Sequence, residues 1–221
     1  MRKYTLTEET KVLQDGTTLR RIQRIIKEAE EGQMGELGEK GGWIESENNL
    51  SQKGDCWVGD DAVVYGNARV VGDAKVYGSA IVRGDAVVEE NGQVYGGAEI
   101  FEGGIVNGRA EVCGHAKVYG GARVGGSAFV GDRCIIGMAA DITGNARLLG
   151  HSHVSGSARV NGDAEVRDSL IMDNCVVCGN AKVDDSSIFD NIRVEGTAEL
   201  IGVELGGRQV VIAGVLADTG D

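Results

Sequence analysis

Aliphatic residues recur at every sixth position through the middle of the chain. From Asp60 to Arg167 the sequence divides into 18 units of six residues without an insertion. The fifth residue of every unit is aliphatic, and the third is small: Ala in 14 units and Gly, Cys or Ser in the other 4. Residues two apart on an extended strand point to the same side. The pattern therefore predicts short strands that turn one small and one aliphatic side chain toward a common core.

The first position of most units suits a corner between two strands. Glycine occupies it in 13 units, and Asn, Asp, Ser or Gly commonly follows. These residues tolerate the backbone angles of sharp turns. The exceptions are Asp60, Glu90, Glu102, Asp132 and Met138. Three units close one triangular coil, so the sequence predicts an all-β fold, a single-stranded parallel β-helix.

Charged residues at the outward positions distinguish a coil of three units from a coil of two. In the three-unit coil, Glu99 lies beside Lys117 and Arg147 beside Glu165, on strands about 4.8 Å apart. In the two-unit coil, Glu99 would lie beside Glu111. Opposite charges on neighbouring strands are favourable and like charges are not. The triangular coil is therefore favoured.

Beyond Arg167 the repeat becomes irregular. The frame shifts by one residue there and again before Ile192, which predicts irregular corners. Counting these units, we expect about eight coils. Residues 203–216 have the pattern of two strands around a Gly-Gly turn. Such a C-terminal hairpin would cap the exposed strand edges of the last coil.

The N-terminal part of the chain lacks the six-residue pattern. Segments 4–12 and 17–26 predict a hairpin, although the apolar spacing within residues 17–31 also fits a helix. Trp43 is expected to cover the open end of the core. The predicted division is an N-terminal cap over residues 1–53, the parallel β-helix over residues 54–202, and a capping hairpin and tail over residues 203–221.

Composition and charge narrow the classes of partner. The 221 residues include 36 glycines and no proline, and only 5% are aromatic, which fits a thin aliphatic core. The formal net charge of −12 disfavours nucleic acids and anionic membranes as partners. The sequence has no apolar run long enough to span a bilayer and no apolar signal segment. Its five scattered cysteines indicate reduced thiols. We therefore expect a cytoplasmic protein.

Three N-terminal segments add a family resemblance to the repeat. They are Tyr-Thr-Leu-Thr-Glu-Glu-Thr at residues 4–10, Thr-Leu-Arg-Arg-Ile at 18–22, and Gly-Gly-Trp-Ile-Glu at 41–45 with Asn-Leu-Ser at 49–51. With the repeat, they resemble the hexapeptide-repeat left-handed β-helix proteins, and more specifically the YdcK-like acyltransferase-type proteins of bacteria and phages. The resemblance covers roughly residues 4–200. It implies a left-handed coil and, for an enzyme, transfer from acetyl- or acyl-coenzyme A with a histidine as general base.

In its loops and in its C-terminal segment, among other features, the chain departs from the enzymes of that family. They often carry an extruded loop over the site and end in a helix, whereas no loop interrupts these 18 units and the C-terminus has a strand pattern. We therefore expect a rigid binding or structural protein of bacterial or phage origin, with no cofactor. The alternative is a coenzyme-A-dependent acyltransferase. A third hypothesis, suggested by the net charge, is an acidic rod that occupies a basic groove of another protein.

Three histidines, His115, His151 and His153, occupy outward positions. His151 and His153 are the catalytic candidates if the protein is an acyltransferase, because they share a strand face and could meet a neighbouring subunit. The other interpretation is that they are solvated surface residues. His115 and His151 are two coils apart with Arg133 between them, and this arginine argues against a metal site. The pair Cys175 and Cys178 is interpreted as packing, since no second metal-ligand pair follows.

Two outward aromatic columns are predicted from the three-unit coil. Tyr77 precedes Tyr95 by three units, and Phe101 precedes Tyr119 by the same interval. Exposed apolar groups favour protein contacts, which predicts an interface at these four residues and a homo-oligomer such as a trimer, or another protein partner. The alternative is that the aromatic ladders only stabilise neighbouring coils.

Overall fold

The computed structural model describes residues 2–27 and 36–218. Within them the chain is all-β apart from a short 3-10 helix, Glu47–Asn49. Sheets of 12, 10 and 9 strands form the three faces of a triangular coil, and all their strands pair in parallel except at the N-terminal end of the 12-stranded sheet, where the first three strands of the chain pair antiparallel. Face 1 carries ten parallel strands, so the coil makes about ten turns rather than the eight expected. The left-handed sense of winding remains a prediction of the resemblance.

The strands of each face follow one another at intervals of one coil. Face 1 begins with β1 (Tyr4–Val12), β2 (Thr18–Lys27) and β3 (Glu36–Ile44) and continues with Val63–Val64, Ile81–Val82, Glu99–Ile100, Lys117–Val118, Ile135–Ile136, His153–Val154, Leu170–Ile171, Ser187–Ile188 and Glu204–Leu205. Face 2 contains Arg69–Val70, Val87–Val88, Ile105–Val106, Arg123–Val124, Asp141–Ile142, Arg159–Val160, Val176–Val177, Arg193–Val194 and Val210–Val211. Face 3 contains Trp57–Val58, Lys75–Val76, Gln93–Val94, Glu111–Val112, Phe129–Val130, Arg147–Leu149, Glu165–Arg167, Lys182–Asp184, Glu199–Ile201 and Val215–Ala217.

The core consists of the aliphatic and small residues that the repeat places inside. All 18 fifth-position side chains are at most 1% exposed, as predicted. Each pairs with the equivalent residue of the next coil, as in Val94 with Val112. The same register brings Lys117 Nζ to 3.4 Å from Glu99 Oε1, which confirms the triangular coil. Burying each Val or Ile contributes about 1.5–3 kcal/mol relative to leaving it exposed, and the backbone hydrogen bonds between coils add to this stabilisation.

The corners explain why a few units begin without glycine. The corner residue has a positive φ, and Asp60, Glu90 and Asp132 adopt it at 52°, 57° and 52°. Each of these carboxylates accepts a hydrogen bond from the backbone N–H of the corner glycine one coil later, at 2.7–2.8 Å. The bond satisfies an N–H of the corner and offsets the backbone strain of a non-glycine residue there. Met138, at φ 57°, has no such acceptor group.

The irregular corner predicted after Arg167 is present, whereas the second lies at Ser186, earlier in the chain than the shift predicted before Ile192. Successive partners on face 1, such as Leu170 and Ser187, are one residue closer in the sequence than those of the regular coils. Ser169 and Ser186, each 3% exposed, occupy the shortened corner. Each hydroxyl donates to the carbonyl two residues earlier and accepts an N–H from the next coil, at 3.1 Å. The buried serines therefore satisfy backbone groups in a corner that is one residue short.

The predicted C-terminal hairpin is wrong. The strands Glu204–Leu205, Val210–Val211 and Val215–Ala217 pair in parallel with the preceding coil, one on each face. They form a further coil of the β-helix instead of a cap. The Gly-Gly pair makes a corner: Gly207 has φ 87°, and its N–H donates to Asp190 Oδ2 at 2.7 Å. The last residues of the predicted tail, 219–221, lie outside the described residues.

The N-terminal hairpin is confirmed. Strands β1 and β2 pair antiparallel, from Tyr4 opposite Arg24 to Val12 opposite Thr18. Residues 28–35, which include the end of the alternative helix, lie outside the described residues. Tyr4 closes the N-terminal end of the core and donates its hydroxyl to the Leu50 carbonyl at 2.7 Å.

Trp43 does not cover the core, contrary to expectation. Its side chain packs in a separate cluster with Leu19 and Val63, on the outer side of face 1. The neighbouring Ile44 is the residue that points into the main core, because adjacent strand residues face opposite sides. No helix in the described ranges has the length and apolar character needed to cross a membrane.

Candidate functional site

The corner between faces 3 and 1 carries two of the histidines. His115 and His151 are exposed there, two coils apart, and Arg133 lies between them as predicted. A shallow groove of about 380 Å³ runs along this corner. The His115 ring lies against Gly97, one coil further toward the N-terminus and away from Arg133. The two imidazoles therefore do not converge on one point.

Carboxylates surround the same groove and hold its backbone. Asp132 accepts a hydrogen bond from the Gly150 N–H at 2.8 Å, and Asp168 accepts one from the His151 N–H at 2.8 Å. These bonds fix the corner but leave the His151 ring free to reach solvent. Within residues 2–27 and 36–218, no three His, Cys, Asp or Glu side chains form a group that could hold a metal ion.

His153 lies in a different environment from His151. It is half-buried on face 1, between Ile135 and Leu170 of the adjacent strands. Its Nε2 atom is buried and has no hydrogen-bond partner. Burial lowers the pKa of this imidazole, so it is neutral at neutral pH. His151 occupies the corner and His153 the flat face, and the structure does not bring the two rings into one groove.

The two predicted aromatic columns are stacked ladders. The Tyr77 and Tyr95 rings lie 4.9 Å apart between centroids, and the Phe101 and Tyr119 rings 5.2 Å apart, each pair within 6° of parallel. The first ladder follows face 3 and the second follows face 1. All four rings are half-buried. The ladders thus combine contact between coils with apolar surface open to solvent.

The tyrosine hydroxyls of the face 3 ladder are bound to the next coil. Tyr95 donates to Glu111 Oε2 at 2.9 Å, and Tyr77 donates to Gln93 Oε1 at 3.3 Å. Burial, followed by the nearby Cys113 and Glu111 side chains, raises the pKa of both phenols. The rings are therefore neutral and fixed in direction.

The sequence reasoning missed the groups at the ends of the ladders. Arg83 lies over Phe101 with its guanidinium carbon 4.5 Å from the ring centroid. At the other end, the Tyr119 ring covers Gly137, where a Cβ would come within 2.7 Å of it. The sequence does place both residues in the aromatic column, because Arg83 precedes Phe101 by three units of the repeat and Gly137 follows Tyr119 by three units.

A second groove, of about 370 Å³, was also missed. It lies where the N-terminal cap meets face 3 and is lined by Glu39, Lys40, Trp57, Gly59, Asp60, Lys75, Val76, Tyr77 and Gln93. No short motif marks it, since its residues come from the cap and from three coils. Trp57 carries the Arg24 guanidinium over its ring at 4.2 Å.

The two cysteines of the Cys-x-x-Cys segment point to different places. Cys175 is buried in the core, and burial raises the pKa of its thiol. Cys178 is outward and half-buried, and its sulfur accepts a hydrogen bond from Arg193 at 3.6 Å. Cys175 thus points into the core and Cys178 away from it, and the two thiols do not converge.

Comparison with curated proteins finds a similar protein in Escherichia coli (strain K12), named "Uncharacterized acetyltransferase YdcK". The two sequences are 35% identical over 80 residues, which is 32% of this chain and 24% of YdcK. The chain thus matches about a quarter of the length of that relative. No family model matches the chain. This similarity and the stacked coils confirm the resemblance to hexapeptide-repeat β-helix proteins.

Proposed function

We propose that the protein is a rigid β-helical binding element of a bacterium or phage, which presents its outward faces to protein partners, including copies of itself. The observation that carries the proposal is the pair of stacked, half-buried aromatic ladders on a regular coil. Aromatic side chains are enriched at interfaces, and a surface that is already ordered loses little conformational entropy on binding. The five cysteines are free thiols, in line with a cytoplasmic location.

Backbone hydrogen bonds between coils make the β-helix a rigid scaffold for the two ladders. On each face the backbone N–H groups of one coil donate to carbonyls of the next, as in Tyr95 to Val112 at 2.9 Å. Because each coil is fixed by its neighbours, the spacing between the two ladders is constant. A partner that fits both ladders would therefore bind without reorganising the coil.

Multi-angle light scattering tests this proposal. Changing Tyr77 and Tyr95 together to Ser should lower the mass of the parent assembly while the β-rich circular dichroism stays unchanged. Thr143→Ser, at the equivalent outward position of face 2, is the matched control and should keep the parent mass. If the parent is monomeric, or if the double variant keeps the parent mass, the face 3 ladder does not form an interface between copies of the chain.

A second candidate function is acyl transfer, favoured by the name of the YdcK relative and by the exposed His151 ring. A base at that position would accept the proton of an attacking hydroxyl or amine. The groove residues do not by themselves fit coenzyme A, because its phosphates need cations and Arg133 shares the groove with the Asp132 carboxylate. A donor site would require residues from a neighbouring subunit.

Turnover of acetyl-coenzyme A separates the two functions. With common amine and hydroxyl acceptors, we expect no release of the free thiol by the parent protein. His151→Ala and His153→Ala are the informative variants, and His115→Ala is the control on the same corner. Robust turnover by the parent that survives in His115→Ala and disappears in His151→Ala or His153→Ala would show that the protein is an acyltransferase and would overturn the binding proposal.

A further inference from the structure

The face 3 ladder is open at one end, whereas the face 1 ladder is closed. On face 1, the outward residue one coil before Phe101 is Arg83, whose guanidinium covers the ring at 4.5 Å. On face 3, the corresponding residue one coil before Tyr77 is Gly59. The outer side of the Tyr77 ring therefore borders the groove between the N-terminal cap and face 3.

Neither backbone conformation nor crowding requires glycine at position 59. Gly59 is not among the residues with positive φ. A Cβ at this position would lie 3.5 Å from the nearest Trp57 atom and 3.6 Å from Tyr77 Cβ, which are ordinary contact distances. At Gly137, by contrast, a Cβ would meet the Tyr119 ring at 2.7 Å. Gly59 thus leaves a space between two aromatic side chains instead of relieving a clash.

Most charged groups around this space already have partners. Glu39 pairs with Arg24 at 3.2 Å, Lys40 pairs with Glu9, and Lys75 donates to the Asp55 carbonyl. The Asp60 carboxylate accepts the Gly78 N–H through Oδ2 at 2.8 Å, which places it beside Tyr77. Its other oxygen, Oδ1, accepts no hydrogen bond from the described residues. The space therefore offers an aromatic ring and one free carboxylate oxygen.

We propose that this groove binds the guanidinium of an arginine side chain from a protein partner. The plane of the guanidinium would stack on Tyr77 above Gly59, and an N–H would donate to Asp60 Oδ1. Guanidinium groups stack on aromatic rings and pair with carboxylates through directed hydrogen bonds. Within this chain, guanidinium groups stack on aromatic rings at Arg83 and Phe101 and at Arg24 and Trp57, and Arg24 also pairs with Glu39. The proposal rests on the binding role above and specifies one chemistry of the partner.

Amide chemical shifts of the full chain test the site with N-acetyl-arginine amide as the probe. Saturable shifts are expected at Gly59, Asp60 and Tyr77, with a dissociation constant of about 1–10 mM for so small a ligand. N-acetyl-citrulline amide has the same length and a planar but uncharged end, and it should bind at least about fivefold more weakly because the carboxylate pairing is lost. No saturable shift, or an equal response to citrulline, overturns the proposal.

Two variants at position 59 make the test independent of folding defects. Gly59→Arg should place a guanidinium of the chain itself on Tyr77, raise the melting temperature and abolish binding of the probe. Gly59→Ala adds a single methyl group at the edge of the space and should weaken probe binding less than Gly59→Arg does. Probe binding that persists in Gly59→Arg would show that the probe does not occupy the space above Gly59, and it would overturn the proposal. The mass measurement above uses no arginine probe, so failure of this site is distinguishable from failure of the binding role.

Discussion

Replacing Val94 by Asp should destabilise the coil severely. Val94 is fully buried on face 3 between Val76 and Val112. Losing the buried Val costs about 1.5–3 kcal/mol. At pH 7, with its pKa raised by three to four units, the new carboxyl costs about 4 kcal/mol more. The expected loss of about 5.5–7 kcal/mol is comparable to the whole free energy of unfolding of an ordinary domain.

Thermal melting followed by circular dichroism measures this effect. At about 2–4 °C per kcal/mol for a chain of this size, the melting temperature should fall by more than about 10 °C, or the variant should not fold. Gln93→Asp, on the same strand but outward and half-buried, is the matched control. It loses the hydrogen bond from Tyr77, worth about 1 kcal/mol, and its new carboxylate lies between Lys75 and Glu111 of the adjacent strands, where attraction and repulsion oppose each other.

The pH dependence identifies the cause of the loss. The pKa of the buried carboxyl is raised above its unfolded value, so the folded state holds its proton more tightly. Stability relative to the parent therefore falls as pH rises from about 4 to the raised pKa, and the penalty of ionisation vanishes below about 4. The gap between Val94→Asp and the parent should narrow on acidification. A variant that melts within one or two degrees of the parent at pH 7 would refute the inward assignment of the fifth position.

Two further predictions concern the corners. Ser169→Ala should cost about 1–3 kcal/mol in urea unfolding, because backbone groups in the shortened corner lose their partner; a loss equal to that of the exposed control Ser157→Ala would contradict this role. Met138→Gly should raise the free energy of unfolding by up to about 1 kcal/mol, since it removes a side chain from a left-handed corner. Equal or lower stability of that variant would show that the Met138 side chain makes a compensating contact.

Most of the fold could be predicted from the sequence because the coil is nearly one-dimensional. Each residue contacts its own coil and the coils on either side, so a fixed offset of three units identifies its neighbours. That arithmetic located the buried aliphatics, the pair Glu99 and Lys117, and both aromatic ladders. It failed at the C-terminal Gly-Gly pair, since the same residues favour a hairpin turn and a β-helix corner.

The candidate sites were less predictable because they depend on side-chain direction and on irregular backbone. The spacing of His151 and His153 predicts a shared face, but the corner separates an exposed ring from a half-buried one. The adjacent Trp43 and Ile44 face opposite sides of a strand, and the pattern did not identify which one enters the core. The groove at Gly59 joins the cap to the coil, and no repeat relates those two parts of the chain.

The most direct measurement of the binding role is hydroxyl-radical footprinting at concentrations below and above the onset of self-association. The rings of Tyr77, Tyr95, Phe101 and Tyr119 should be oxidised more slowly in the associated state. Phe189, half-buried on face 1 near the C-terminal end, serves as the internal control and should not change. Protection of the ladder rings with constant Phe189 oxidation is the result we predict. Equal oxidation of all five rings at both concentrations, in a protein whose mass has increased, would contradict the proposal that the ladders form the interface.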